Sequence, residues 1–416
     1  MKQINIGIIG LGTVGSAVVE LIRKNSALIE ERTGLRLRIK KGCDIRKVRV
    51  PCAVTRNPNE IINDPEISVV VEAMGGVNPA KKLVLQAIRA GKSVVTSNKE
   101  LIAIHLEEIL QAAARKGVSV LFEGAVGGGI PILGALRNNL AANRISEVFG
   151  IVNGTTNYIL SKMTKEKMEF SEALKRAKEK GYAEADPRMD IEGFDAQYKA
   201  VILAAVAFGA KINWREVHCE GISKITQEDI RYAEEIGYVI KLLAVAKKVD
   251  DKVEVRVHPT LVPQDHPLAF IPGPMNAIYV RGDAMGEQMF YGQGAGGLPT
   301  ASAVVSDIIE VSKSKIESRR LKLESRKLRP IEEISSRYYI RLTAPDRHGV
   351  LAGISRAFAD AKVSIAAVVQ KETVGKTATI VIVIHEAKEA NLRRALAKLK
   401  KLSVVSKICN VIRVGL

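Results

Sequence analysis

A chain of 416 residues, 47% of them hydrophobic, is long enough for two or three domains with cores of their own. Its 63 basic and 45 acidic residues leave a formal charge of +18, but the aromatic content of 4% argues against a stacking platform for single-stranded nucleic acid, and the excess charge reads as solvated surface. No apolar run approaches the roughly 18 residues of a membrane span, the start runs into a strand pattern without a signal-peptide layout, and Cys43, Cys52, Cys219 and Cys409 lack metal-ligand spacing. A cytoplasmic protein with no nucleic-acid or membrane partner is expected.

Ile4 to Ile9 is a short apolar strand, followed by Gly10, Leu11, Gly12, Thr13, Val14 and Gly15 and then a helical pattern from Ser16 to Lys24. This is G-x-G-x-x-G between strand and helix, where the glycines permit the tight turn, the approach of a pyrophosphate and close packing, so a dinucleotide is expected there. Strand and helix then alternate through Leu35–Cys43, Val69–Glu72, Pro79–Ala90, Ser93–Thr96, Glu100–Lys116 and Val118–Phe122, the pattern of a doubly wound parallel sheet. Ligands of such sheets sit beyond the carboxyl ends of the strands. The second strand ends in Asp44, which suits a ribose 2′-hydroxyl and NAD, beside Arg46 and Lys47, which suit a 2′-phosphate and NADP; both signals are present. Asp44 lies later than the usual acid because Asn25 to Thr33 is expected to lengthen the first helix.

Glu123 to Pro131, EGAVGGGIP, is too glycine-rich for regular structure. Freed carbonyls and one carboxylate suit a hard cation, and a plain hinge between domains explains the stretch equally well. A strand, Ile145 to Val152, leads into the polar turn Asn153 to Asn157 and a helix containing Tyr158. Gly181 to Lys199 then places Glu184, Asp186, Asp190 and Asp195 ahead of the buried-helix pattern Ala196 to Phe208. Asp195 and Lys199, four apart, share a helical face, and a partly desolvated lysine there is a proton donor at neutral pH. An ordinary acidic helix start with an ion pair accounts for the same residues.

A helix near Ile225 to Gly237 and strands at Val253–Leu261 and Ala277–Arg281 follow; His258 and His266, each next to a proline, read as turn or loop residues. The helix from about Ala301 to Lys313 is expected to return to the first domain. Lys313 to Arg329 is crowded with cations and reads as a linker. Tyr338 to Leu416 reads strand, helix, strand, strand, helix, strand, opened by Pro345 to Leu351, and looks like an ACT domain, a module that binds small effectors. The expected division is 1–130 for the nucleotide-binding domain, 131–312 for the substrate, catalytic and dimerisation domain, 313–337 for the linker and 338–416 for a detachable control module.

GLGTVG at Gly10–Gly15, SNK at Ser97–Lys99, EGAVGGGIP, NGTTNY at Asn153–Tyr158, Gly181–Lys199 and GQGAGGLPTASAVV at Gly292–Val305 together resemble the homoserine dehydrogenases, in that family's order over essentially the whole chain. The resemblance implies reduction of L-aspartate 4-semialdehyde to L-homoserine with a nicotinamide cofactor, on the pathway to threonine, methionine and isoleucine; NADP(H) is expected over NAD(H) because the two cations Arg46 and Lys47 outweigh the single acid Asp44. It implies that Lys199 is the proton donor, Lys99 a second lysine near the reacting oxygen, and Asp190 and Asp195 the carboxylates that orient lysine and substrate. Glu184 is implied to bind the substrate's amino group, with Thr155 and Tyr182 as further substrate contacts. Ser97, Lys99 and Gly296 are implied to meet the cofactor, and Glu123 with the backbone oxygens of Val126, Gly128 and Ile130 to hold a sodium ion. A homodimer or larger homo-oligomer is implied as well; the resemblance gives the effector module but not its ligand, and L-threonine, the pathway's end product in this family, is the effector expected there. The competing reading is an amino-acid sensor whose dehydrogenase body no longer turns over; a sensor has no need of the two lysines.

Overall fold

The computed structural model describes residues 2–313, 321, 323–374 and 377–416, the side chains of 371–374 excepted. The first domain contains β1 (Lys2–Ile9), α1 (Thr13–Lys24), α2 (Ser26–Thr33), β2 (Leu35–Cys43), β3 (Ala53–Thr55), α3 (Asn59–Ile62), β4 (Val69–Glu72), α4 (Ala80–Arg89), β5 (Ser93–Thr96), α5 (Lys99–Lys116) and β6 (Val120–Leu121). The strands form one parallel sheet in the order β3-β2-β1-β4-β5-β6. Helices cover both faces, so the central strands are apolar throughout, as in Val69 to Val71. The strand order reverses around β1, which opens a crevice at the turn beginning with Gly10. One expectation changes: Asn25 leaves the helical region at φ −106° and ψ 15°, so the residues after it form a separate α2 and do not extend the first helix.

The second domain holds α6 (Ile132–Gly134), β7 (Ile145–Ile151), α7 (Gly154–Glu166), α8 (Phe170–Glu179), α9 (Arg188–Ile191), α10 (Phe194–Phe208), β8 (His218–Cys219), α11 (Gln227–Glu235), β9 (Tyr238–Val249), β10 (Lys252–Pro263), β11 (Met275–Gly282), β12 (Gly286–Gln293) and α12 (Gly297–Lys313). All of α10 but Phe194 and Ala207 is buried, because it is wedged between α5 of the first domain and β9 and β10 of its own. That placement explains an apolar sequence without an amphipathic period. Helix α12 packs along α1 and joins its apolar core, as expected of the returning helix.

The third domain is β13 (Lys327–Leu328), β14 (Ser335–Pro345), α13 (Val350–Asp360), β15 (Ile365–Val374), β16 (Thr377–Lys388), α14 (Glu389–Leu399) and β17 (Lys407–Val414). Its sheet runs β17-β14-β16-β15, with α13 and α14 packed on a shared core. This is the expected βαββαβ module, but it is not a loosely hinged one. β17 pairs in parallel with β10 at Thr260↔Arg413 and Leu261↔Val414, so a single mixed sheet crosses from β12 to β15. Of the basic segment, Lys315, Arg319, Arg320 and Lys322 lie outside the described residues; beyond them β13 pairs with β10, and Arg329 Nη1 donates to Glu254 Oε1 at 2.7 Å. His258 is not a turn residue either: it is a buried member of β10, while His266 accepts from Leu268 N at the start of a short 3₁₀ turn.

Candidate active site

The turn between β1 and α1 is built by close contacts that no side chain would allow. A Cβ on Gly15 would lie 1.9 Å from Gly10 O, and Gly10 itself has φ +97° with the backbone of Ala73 2.6 Å from where a Cβ would be. Gly12, Thr13 and Val14 follow at the mouth, and free amides at the helix start suit a pyrophosphate. Asp44 lies beneath: Oδ2 accepts from Leu11 N at 2.9 Å and from Arg46 Nη2 at 3.1 Å, and Oδ1 accepts from Arg46 N at 2.9 Å. The Arg46 guanidinium and these amides hold the Asp44 carboxyl well below its usual range, against the opposing push of burial. Arg46 and Lys47 remain exposed, and Arg46 Nη2 is 3.5 Å from where a Cβ of Gly12 would stand.

At the end of β5, Asn98 caps α5 by accepting from Leu101 N, which fixes Ser97 facing Gly124 and points Lys99 toward the second domain. There Lys99 Nζ meets Asp195 Oδ1 at 2.5 Å, and Lys199 Nζ meets Asp195 Oδ2 at 2.6 Å, so one carboxylate bridges the two lysines. Lys199 also donates to Val152 O at 2.6 Å. An ammonium has three donors, so one N–H of Lys199 remains for a ligand. Burial pulls Lys199 below the usual lysine value, although Asp195 opposes it; Lys99 is held above that value by Asp195 first, with help from Asp190 and Glu184. Burial raises Asp195, but Lys199 and then Lys99 outweigh it and keep the carboxyl ionised.

Asn153, which was not among the expected site residues, ties the cluster together. Its Nδ2 donates to Asp190 Oδ1 at 2.7 Å and Asp195 Oδ2 at 2.9 Å, while its Oδ1 caps α7 by accepting from Thr156 N. The polar turn NGTTN was the available signal, since asparagine favours this capping position. Thr155 Oγ1 donates to Tyr182 O at 2.5 Å, and burial pushes the Asp190 carboxyl up. Tyr182 and Glu184 are exposed at the mouth, where a substrate can reach them. Asp186 is held by Arg188 in a local turn and stays out of the cluster.

The two remaining glycine loops face each other. A Cβ on Gly128 would stand 2.6 Å from Gly294 C, and Gly297 lies against Thr13 of the dinucleotide turn, which brings Gly296, at φ +119°, to the cofactor crevice. Among the described residues no backbone N–H reaches the carbonyls of Val126 or Gly128, whereas Ile130 O accepts from Ile132 N at 2.8 Å. Asn276, fully buried against Gly294, has neither amide atom hydrogen-bonded among them. These free hard oxygens fit a monovalent cation. Glu123 fits less directly, because its carboxylate accepts from Leu133 N and Gly134 N at 2.7 and 2.5 Å. Among the described residues no trio of His, Cys, Asp or Glu is placed to hold a metal.

Three family models match: "Homoserine dehydrogenase, NAD binding domain" over residues 10–123, "Homoserine dehydrogenase" over 131–309 and "ACT domain" over 338–404. A homoserine dehydrogenase of Neisseria gonorrhoeae is 44% identical over 99% of both chains. The crystal structure of one from Thiobacillus denitrificans superposes with a TM-score of 0.95 at 44% identity, covering 100% of this chain and 98% of that one. A hyperthermophilic archaeal homoserine dehydrogenase mutant in complex with NADPH matches at a TM-score of 0.64 and 30% identity, over 74% of this chain and 98% of its own.

Proposed function

The chain belongs to the homoserine dehydrogenase family, NAD(P)-dependent oxidoreductases, and from that premise we propose how its own residues divide the work of reducing L-aspartate 4-semialdehyde to L-homoserine. The observation that carries this division is the bridge Lys99–Asp195–Lys199. A bound nicotinamide supplies the hydride to the aldehyde carbon. Negative charge then develops on the aldehyde oxygen, where the third N–H of Lys199 stabilises it and delivers the proton. Asp195 orients that ammonium, and the half-exposed Lys99 adds positive charge on the solvent side of the same carboxylate. Asp190, held by Asn153, and Thr155 position the substrate; Glu184 at the mouth pairs with its ammonium group.

The preferred cofactor is NADP(H). Asp44 is already bonded to Leu11 N and to Nε and Nη2 of Arg46, so a ribose 2′-hydroxyl would have to displace that guanidinium, whereas the exposed outer edge of Arg46 and the exposed Lys47 can meet a 2′-phosphate without breaking the pair. The archaeal relative in complex with NADPH supports this reading. Sodium would be held by the carbonyls of Val126, Gly128 and Ile130 with Glu123, where it would brace the facing glycine loops. Met289 and Tyr291 are exposed on the edge strand β12, an edge that a second copy covers in a homodimer. The four cysteines are unpaired, in keeping with a cytoplasmic enzyme, and the ACT domain receives L-threonine as effector. Homoserine mixed with NADP or NAD should yield the absorbance of reduced nicotinamide, faster with NADP. No absorbance with either cofactor would refute the enzyme reading and favour the sensor.

A further inference from the structure

Glu220 touches none of the reacting groups, yet its backbone belongs to the bed on which the catalytic helix begins. Ile222 N donates to Ile191 O at 2.7 Å, and Gly221 is so close to the Ile191–Glu192 backbone that a Cβ would come within 2.1 Å of Ile191 O. Gly193, the residue before α10, has φ +86° and lies against Cys219 Sγ and Glu220 O. Two residues on is Asp195 and one turn further Lys199. The Glu220 carboxylate, however, faces the other way, into the ACT domain: Oε1 accepts from Arg413 Nη1 at 3.0 Å and contacts His218 Nε2. Arg413, buried on β17, also donates to Glu389 Oε2 at 2.9 Å, so carboxylates from two domains share one guanidinium.

We propose that Glu220 is a positioning residue, and that its ion pair with Arg413 couples the ACT domain to the seating of Asp195 and Lys199. Arg413 is buried and donates from one nitrogen to Glu220, 40% of whose side chain stays exposed, and from the other to Glu389, so the rigid guanidinium ties the Glu220 side chain to β17 in a fixed direction. A small shift of β17 against β10 is therefore transmitted to the Cys219–Gly221 backbone, which has no space to absorb it next to Ile191. The titratable and charged groups around the pair are His218, Arg256, His258, which burial keeps neutral, Tyr338 and Glu389; those around Lys199 are Asp195, Lys99 and Asp190. The inference rests on Lys199 as proton donor, so one readout must be independent of chemistry.

Glu220→Gln in the full chain tests it, read by amide hydrogen exchange over residues 190–199, by kcat and cofactor KM, and by the pH profile of aldehyde reduction. Exchange there should quicken, and kcat should fall by roughly two- to thirtyfold, the span of coupling carried through positioning residues, with cofactor KM unchanged. Water admitted around Lys199 relieves the burial that lowers its pKa, so the basic limb should move to higher pH. Glu228→Gln, which loosens another ACT contact away from Ile191, should leave exchange and pH profile as in the wild type. Exchange and profile unchanged in Glu220→Gln, or changed equally in Glu228→Gln, would overturn the proposal. If Glu220→Gln does not fold, Arg413→Lys, which retains the charge but not the fork spanning both carboxylates, takes its place with the same outcomes. Quickened exchange with unchanged kcat would overturn the link to catalysis, and Lys199→Ala separately decides the role of the lysine.

Discussion

Replacing Arg341 by methionine should destabilise the catalytic body, although the residue belongs to the ACT domain. Arg341 Nε donates to Asp229 Oδ1 at 2.7 Å, Nη2 to Asp229 Oδ2 at 3.2 Å and to Thr226 Oγ1 at 3.0 Å, and Nη1 reaches Glu228. Asp229 is 0% exposed and closes the capping box that starts α11, so removing its cation leaves a carboxylate with nowhere to go. Breaking a buried pair in this way costs about 3–5 kcal/mol. Asp229 keeps neutral donors from Asn410 Nδ2 at 2.9 Å and Thr226 N at 3.1 Å, which places the expected loss at the lower end, about 3 kcal/mol. Urea unfolding followed by the single tryptophan measures this where it matters, since Trp214 packs 5.3 Å from Tyr198 of α10 in the catalytic domain. The double variant with Asp229→Asn should recover much of the loss. A loss below about 1 kcal/mol, the value of an exposed pair, would refute the claim that this contact anchors the two domains. The same reasoning reverses the expectation of a detachable tail: a chain ending near Arg337 loses Arg341, Asn410 and Arg413 together and should fail to fold as an active enzyme.

Lys199→Ala should reduce turnover by roughly 100 to 10,000-fold, as for loss of a positioned proton donor, with cofactor affinity by fluorescence titration nearly intact; wild-type turnover would assign the proton elsewhere. Arg46→Ala should raise the KM for NADPH while sparing NADH, and an unchanged ratio would dismiss the phosphate contact. Lys241, buried on β9, is bonded to Asn157 Oδ1 and Ile271 O and meets no carboxylate among the described residues; burial first, and then the nearby Lys165, pull it from 10.5 to about 8. Between those values the unfolded chain binds more protons than the folded one, so this group makes stability rise with pH across the window, by about 3 kcal/mol in all. Lys241→Met should remove that rise from the difference between the two stability curves measured from pH 7.5 to 10.5, and parallel curves would show that the lysine is not desolvated.

The dinucleotide turn and the alternation of strand and helix were legible in the chain because they are local: Gly10, Gly12 and Gly15 act within one turn, and each strand of the first sheet carries its own apolar signature. The residues proposed to face the substrate were legible as family motifs, and the i,i+4 pair Asp195–Lys199 as a helical spacing. What no local pattern encodes is the convergence of distant segments. Lys99 meets Asp195 only because α5 of one domain packs on α10 of the other, and Asn153 joins Asp190 to Asp195 only because the start of α7 ends up beside the start of α10. Even between near neighbours the side-chain direction was open: Asp44 and Arg46 gave opposite cofactor signals until the turn after β2 laid the guanidinium on the carboxylate. The pairing of β17 with β10, the burial of His258 on β10 and the sharing of Arg413 by Glu220 and Glu389 likewise depend on register across domains. Helical periodicity is written in neighbouring residues, whereas strand pairing and buried charge pairs are settled by which desolvated groups find partners when whole domains close on one another.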